Sequence, residues 1–337
     1  MNENLNIIEC KSDKLWDEFL LKSENKNIFS KSIFIKNSKY KSKMFFIKKS
    51  DEIVASFNLY FDKKRIINGD RIYSPINFKN FEKKNVSSQN YKKLNILKKF
   101  IDFITQNFIK GEFTLDYHAE DLRPFFWYNF ENKKKFFKVD EIRYTSLIEE
   151  DIELKNTTIE ELINSRIFKK FSRSIKQQIK YSSKQDFKFK EKFEYNLMSD
   201  ILKKTFKRQN KNIDFDLNNY REIYKKLFSE KNLKIFIIEK NSEKLAFCVF
   251  GIIGDKAIYL NGGKISDQNN DYSLTYGLSM SIISLFRSGV KKIDLEGVNS
   301  PNRSFWKQGF GGILKPYYKL SLNWIITHNK YYVSSIN

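Results

Sequence analysis

Residues 291–318, KKIDLEGVNSPNRSFWKQGFGGILKPYY, constrain the fold of this chain more than any other stretch. They read as a buried strand, a loop, a short aromatic helix, a glycine turn and the start of another strand. The strand Ile293-Asp-Leu-Glu296 brings two carboxylates towards its C-terminal end. Asn299, Arg303, Trp306 and Lys307 follow, more polar groups than packing alone requires. Phe310-Gly311-Gly312 then permits backbone conformations that only glycine adopts at little cost.

The elements before this segment repeat a theme. A helix is expected at 14–22, then a hairpin of alternating strands at 43–48 and 52–61 joined by Ser50-Asp51. A strand follows at 71–75. Apolar residues at helical spacing from Leu94 to Phe108 predict a helix over 89–108, capped by Gly111 and followed by a strand at 112–117. Another strand is expected at 140–148. The second half opens with a helix started by Thr157 and Thr158, with Glu160 and Glu161 at its positive end. A basic helix over 168–181, a strand over 187–193 and two amphipathic helices over 195–209 and 217–228 come next. Strands at 233–239, 244–253 and 257–261 precede a long apolar helix over 271–287, ended by Ser288-Gly289. A last strand is expected at 317–326. The second half therefore reads as strands, helix, buried strand, short helix and strand, and the first half as a reduced copy. At 337 residues two domains are expected, 1–149 and 150–337, with the boundary at the charged stretch 149–156.

Composition narrows the function. Two cysteines, Cys10 and Cys248, and two histidines make neither a disulfide scaffold nor a His/Cys metal centre, and fit a reducing compartment. The N-terminus lacks the basic and then apolar pattern of a signal peptide, and no apolar run reaches the ~20 residues of a spanning helix. A cytoplasmic protein is expected, at the inner membrane surface if its charge meets anionic lipid. The formal charge of +22 has two readings: an anionic partner, or a compositional drift towards Lys and Asn. Lysine far outnumbers arginine, and bidentate phosphate recognition favours arginine.

Several segments resemble those of Fem-like transferases, a branch of the GNAT (acyl-CoA N-acyltransferase) superfamily. Asp121-Leu-Arg-Pro-Phe-Phe-Trp127 resembles their D-x-RPF-x-W segment, and Arg143-Tyr-Thr145 the strand opening their second domain. Ser172-Arg-Ser-Ile-Lys-Gln-Gln-Ile-Lys180 is similar to their basic helix, Lys207-Arg-Gln209 to a KRQ-like helix end, and Trp306-Lys-Gln-Gly-Phe-Gly311 to their FK-x-x-FG motif. The resemblance spans about Leu115 to Tyr318 and rests on motif order. It implies an α+β (α/β) chain of two tandem GNAT-like domains, each a mixed, mainly antiparallel sheet flanked by helices. It also implies acyl or aminoacyl transfer to an amine. The donor is aminoacyl-tRNA in the Fem branch, with a peptidoglycan precursor as acceptor, and acyl-CoA in the GNAT branch. No metal is implied. The GNAT donor loop would fall at 267–276, where no glycine precedes Gly277, and no helical arm of Fem type is visible.

The candidate residues follow. Lys307 matches the motif residue by residue and would stabilise an oxyanion; the plainer reading is one surface lysine among many. Asp294 and Glu296, two apart on one strand, would face one side and orient or deprotonate the acceptor amine, or else pair with Arg303 or Lys292. Asp121, Arg123 and Trp127 flank Pro124, which disfavours helix at Arg123, and serve either a substrate cleft or an interdomain salt bridge and packing cluster. Arg173, Lys176 and Lys180 share a helix face and read as a phosphate contact or a solvated basic face. Tyr259, Asn261, Arg303 and Trp306 are candidates for substrate binding. Tyr272 and Ser273, at the start of the long helix, are candidates for the donor, whose phosphate helix N-terminal amides can hold. His118 reads more simply as a packing residue. Three functions are in view: a Fem-like transferase acting on a cell-envelope sugar or peptide precursor, a conventional acyl-CoA N-acyltransferase, and a non-enzymatic binder of RNA or anionic membrane.

Overall fold

The computed structural model describes residues 4–69, 72–73, 76–81, 85–131, 135–150, 156–208, 210, 217–265 and 271–324. In chain order the elements are β1 (Leu5–Glu9), α1 (Asp13–Lys22), α2 (Ser32–Lys36), β2 (Lys41–Lys49), β3 (Glu52–Asp62), β4 (Arg65–Ile67), β5 (Ile76–Phe78), α3 (Val86–Asn107), β6 (Lys110–Leu115), α4 (Arg123–Trp127) and β7 (Lys135–Glu149). They continue as α5 (Ile159–Asn164), α6 (Arg166–Lys170), α7 (Arg173–Ser182), β8 (Lys188–Glu191), α8 (Tyr195–Arg208), α9 (Leu217–Ser229), β9 (Leu233–Lys240), β10 (Glu243–Ile253), β11 (Lys256–Lys264), α10 (Ser273–Arg287), β12 (Lys292–Asp294), α11 (Pro301–Gln308) and β13 (Ile313–Trp324). The strand expected over 71–75 falls mostly outside the described residues.

The chain divides into two compact units. One holds residues 1–12, 38–142 and 318–337, the other residues 13–37 and 143–317. This differs from a single cut after residue 149, and strand pairing gives the reason. In the first unit the order is β1-β2-β3-β4-β6-β13, with β5 beside β3. Its last strand comes from the far end of the chain, where Tyr318–Leu322 pair antiparallel with Leu115–Gly111. In the second unit the order is β7-β12-β11-β10-β9-β8. Here the end of β7, Leu147–Glu149, pairs with Asp294–Lys292. Each half of the sequence thus contributes the later part of its final strand to the other unit. Residues 13–37 belong to the second unit through polar ties: Lys26 pairs with Asp255 at 3.0 Å, and Lys31 Nζ donates to Asn232 Oδ1 at 2.7 Å.

The units share a plan. β4 runs parallel to β6 in the first, and β11 parallel to β12 in the second; the other pairings are antiparallel. A long helix, α3 or α10, connects the parallel strands in each, as a parallel crossover requires. In the first unit α3 lays Ile96, Phe100, Ile101 and Ile104 on the buried face of β3 and β6. Phe57, Phe100 and Phe113 make edge-to-face contacts there. In the second, α10 is buried along almost its whole length against β10, β9 and β11, which explains its apolar sequence.

Local expectations held for the β2–β3 hairpin and for Thr158, whose side chain accepts the Glu161 amide as an N-cap. Three differed. Gly111 does not cap α3, which ends at Asn107; it lies inside β6, where a Cβ would come within 2.4 Å of Ile66 Cβ. The basic stretch over 168–181 is broken at Phe171-Ser172, because the Ser172 hydroxyl accepts the Ile175 amide and starts α7 anew. α4 begins at Arg123 itself, with Pro124 in the first turn, where no amide hydrogen bond is lost.

Candidate active site

A cavity of about 450 Å³ opens in the second unit where β11 and β12 part. The two pair only over Lys256–Ile258 and Lys292–Asp294. β12 then stops while β11 continues to Lys264, so a sheet cleft is left beyond the last shared hydrogen bond. On its other side, towards β10, β11 carries a register shift. Val249 faces Asn261 and Phe250 faces Tyr259, which leaves Leu260 as an extra residue on β11. The walls come from Tyr259–Lys264, from Glu296 past β12, from Arg303, Trp306 and Lys307 on α11, from Leu274 on α10, and from Leu202, Thr205 and Phe206 on α8.

Lys307 is the main ionic feature of the cleft. It is 5 % exposed, and its Nζ donates to the Glu296 carbonyl oxygen at 2.5 Å. A Glu296 carboxylate oxygen lies 3.8 Å away, and the Tyr259 ring centroid 5.1 Å. Burial pushes the Lys307 pKa below the usual lysine range; Glu296 and Asp294 act against this, and Arg303 adds to it. Tyr259 moves the other way. Burial, then Cys248 and Glu296, hold its phenol well above the ordinary value, so it stays neutral. Cys248 is a buried thiol pushed up to about 12 by desolvation, and it shares hydrogen bonds with Ser281 and Tyr259.

The two carboxylates of the 293–296 segment do not share a face as an unbroken strand would place them. β12 ends at Asp294, and Glu296 and Gly297 both adopt φ +50°. Asp294 is 2 % exposed; its Oδ1 accepts the Glu296 amide at 2.8 Å and the Thr145 hydroxyl. It folds the turn, and the Glu296 side chain faces the cavity. Asn299 supports the next part of the loop by accepting the Tyr144 amide at 2.6 Å and donating to the Tyr144 carbonyl at 3.1 Å.

α11 is fixed by its indole. Trp306 Nε1 donates to Thr275 Oγ1 at 3.1 Å, and that hydroxyl donates to Gln178 Oε1 at 2.8 Å. Trp306 also meets Phe310 edge to face at 5.3 Å, and Phe310 meets Phe171 likewise. Arg303 is exposed at the rim, its Nε donating to Ser300 Oγ at 3.0 Å. Asn261 Nδ2 donates to the Tyr224 hydroxyl at 2.8 Å.

Six of the residues singled out in the sequence therefore meet in one cavity: Tyr259, Asn261, Glu296, Arg303, Trp306 and Lys307. Asp294 lies behind it as a buried support. Arg173 is exposed on α7 and outside the lining. Asp121, Arg123 and Trp127 belong to the first unit. There Arg123 clasps Asp121 through Nε and Nη2, each at 2.8 Å, and lies 5.3 Å from the Trp127 ring. This ion pair, two residues apart, lowers the Asp121 pKa through its hydrogen bonds to Arg123. Sequence reading missed Lys264, Thr145, Thr275, Gln178 and the α8 wall. Signals were the hydroxyls within an otherwise apolar α10 and the family-like segments 143–145 and 172–180, which hold Thr145 and Gln178.

Tyr272 and Ser273 stand at the α10 N-terminus, but neither lines the cavity. The Ser273 amide already donates to Asp271 Oδ1 at 2.9 Å. The Asp271 carboxylate thus takes one of the amides that a donor phosphate would use at this end of α10. Tyr272 stacks on Tyr181 at 6.0 Å. Among the described residues no three His, Cys, Asp or Glu side chains form a metal-binding group, and no helix is long and apolar enough to cross a membrane.

No protein-family model matches the sequence, and no curated protein matches it. Solved structures do match in fold. FemX is 12% identical, with 93% of this chain and 96% of that chain aligned and a TM-score of 0.66. The C-terminal DUF2156 domain of a putative lysylphosphatidylglycerol synthetase from Agrobacterium fabrum is 11% identical over 92% of each chain, with a TM-score of 0.52. A tandem GNAT protein from the clavulanic acid biosynthesis pathway is 6% identical over 95% of this chain and 98% of that one, with a TM-score of 0.51. The chain thus has the mixed α/β architecture of FemX and tandem GNAT proteins.

Proposed function

We propose that this protein is a Fem-like acyl- or aminoacyltransferase that forms an amide on an amine of a cell-envelope sugar or peptide precursor. The observation that carries the reading is the buried Lys307 ammonium beside Glu296 in the cleft between β11 and β12. Amide formation from an ester needs a site for the negative charge that grows on the carbonyl oxygen, and a route for the amine's proton. Lys307 supplies the first, its charge strengthened by low solvent access. Glu296 supplies the second: its carboxylate takes the proton as the acceptor nitrogen bonds to the acyl carbon. The tetrahedral adduct then collapses, and the donor's oxygen or sulfur leaves as an alcohol or thiol with the proton that Glu296 had taken. Trp306, Asn261 and Arg303 shape the mouth through which donor and acceptor meet. The acceptor class comes from the Fem-like resemblance of the sequence motifs and not from residues of the cleft.

The donor is an aminoacyl ester of tRNA or an acyl-CoA, and the charge of +22 suits a polyanionic donor. The protein works on this reading in the cytoplasm at the membrane face, in peripheral contact with anionic lipid.

Donor binding tests the proposal. Charged and uncharged tRNA, acyl-CoA and CoA are titrated at two salt concentrations, and transfer to amine-bearing precursors is then followed with wild type and Lys307→Met. Preference for charged tRNA, with transfer lost in the variant, is expected. Saturable, salt-insensitive acyl-CoA binding would move the reading to a conventional N-acyltransferase. Salt-steep tRNA binding without discrimination or turnover would leave a nucleic-acid binder and overturn transfer.

A further inference from the structure

The cleft between β11 and β12 is ordered along its length. The Lys307 ammonium lies 5.1 Å from the Tyr259 ring centroid. From there the Tyr259 side chain runs along β11 until its hydroxyl meets Gly262, where an added Cβ would stand 1.6 Å from the oxygen. Gly263 comes next, and an added Cβ there would lie 2.8 Å from Ile201 Cγ2 and 3.6 Å from Thr205 Oγ1, both on α8. The two glycines leave the strand bare between the Tyr259 ring and α8, where other groups approach its backbone closely. Leu202 and Phe206, one turn apart on α8, line the cavity on that side, and Leu274 and Trp306 line it from α10 and α11.

Charge is placed unevenly along this path. Glu296, the one carboxylate among the described lining residues, stands at the Lys307 end, 3.8 Å from the ammonium. Lys264 is turned towards α10, its Nζ donating to the Asp271 carbonyl at 3.2 Å. The α8 wall contributes Leu202, Thr205 and Phe206, none of them charged. A charged chain end of either sign would lose water there without an ionic partner, whereas an aliphatic one gains by leaving water. We infer, on the reading of this cleft as the transfer site, that the transferred unit carries an uncharged apolar chain: an aliphatic acyl group, or an aminoacyl group with an aliphatic side chain. Its carbonyl lies at Lys307, and the chain crosses the Tyr259 ring to end against Leu202 and Phe206.

N-acetylcysteamine thioesters serve as donor probes for the full chain, in calorimetric titration and in transfer to glucosamine. One series is acetyl, butyryl and hexanoyl; the other is glycyl, leucyl, lysyl and glutamyl. Affinity is expected to rise about fourfold per buried methylene along the first series, the factor that ~0.8 kcal/mol per CH₂ gives. In the second, leucyl should bind at least about tenfold tighter than glycyl, with lysyl and glutamyl no tighter than glycyl. Phe206→Ala and Leu274→Ala, both at half-buried positions, should shrink the leucyl-to-glycyl ratio, and Phe206→Glu should bring lysyl above leucyl. Equal affinity for acetyl and hexanoyl, lysyl or glutamyl at or above leucyl in the wild type, an unchanged ratio in both alanine variants, or no saturable binding of any probe would each overturn the inference. Binding in the expected order without transfer upholds the apolar pocket and removes the transferase reading. Transfer without that order does the reverse.

Discussion

Lys307 Nζ donates to the main-chain carbonyl of Glu296 at 2.5 Å, and Glu296 stands at φ +50°. The loop after β12 therefore leaves the extended conformation at the residue whose carbonyl and carboxylate both approach the buried ammonium. Asp294 holds the turn by accepting the Glu296 amide. Positioning of the lysine thus depends on the loop backbone as well as on the carboxylate.

Replacing Lys307 with methionine is expected to lower turnover by about 10²–10³-fold, the range for losing one oxyanion-stabilising donor. Folding should survive, since methionine fills the space and removes a buried charge. Transfer rates together with thermal melts check this. A variant that melts like wild type and retains full turnover would remove Lys307 from the chemistry.

The depressed Lys307 pKa has a consequence for stability. Below the folded-state pKa both folded and unfolded chains carry the proton, and the burial penalty is fully present. As pH rises through that lowered value towards 10.5, the folded state gives up its proton first, so stability rises over this window. Turnover should fall over the same window if the ammonium is the active form. Denaturation midpoints for wild type and Lys307→Met, measured across alkaline pH, should converge as pH rises.

Asp294→Ala removes the acceptor for both the Thr145 hydroxyl and the Glu296 amide at a buried position. A loss of about 1–3 kcal/mol is expected for leaving such donors unsatisfied, with turnover falling alongside as the Glu296 turn relaxes. Asp294→Asn keeps an acceptor oxygen and should recover most of the stability. Chemical denaturation of both variants tells a support from a purely catalytic group: equal stability of Ala and Asn variants would contradict the supporting role.

Gly311→Ala probes the turn that returns the chain from α11. The glycine has φ +75°, and an added Cβ would lie 2.6 Å from the Lys170 carbonyl oxygen. Left-handed backbone and a main-chain clash combine here, so destabilisation of more than about 1 kcal/mol is expected in urea unfolding.

Lys135 tests the first unit alone. Its buried Nζ donates to the Thr105 carbonyl and, at 2.8 Å, to the Phe108 carbonyl at the end of α3. Lys135→Met should cost about 1–3 kcal/mol through those unmet acceptors. Hydrogen exchange should show α3 fraying from its C-terminal end.

The sequence by itself determined the local elements and much of the site. Alternation in β3, helical spacing in α3, the Thr158 cap and the apolar run of α10 are encoded in neighbouring residues, and each formed close to where it was expected. The 291–318 segment also announced Glu296, Arg303, Trp306 and Lys307. Only the tertiary structure decided which strands pair. Period-two alternation says which face of β7 or β13 is buried, not which strand lies beside it, so the exchange of final strands between units was not legible. It likewise decided that Asp294 is a support and Glu296 a cavity residue. That distinction depends on where β12 stops pairing with β11, a long-range event set by hydrogen bonds between residues far apart in the chain.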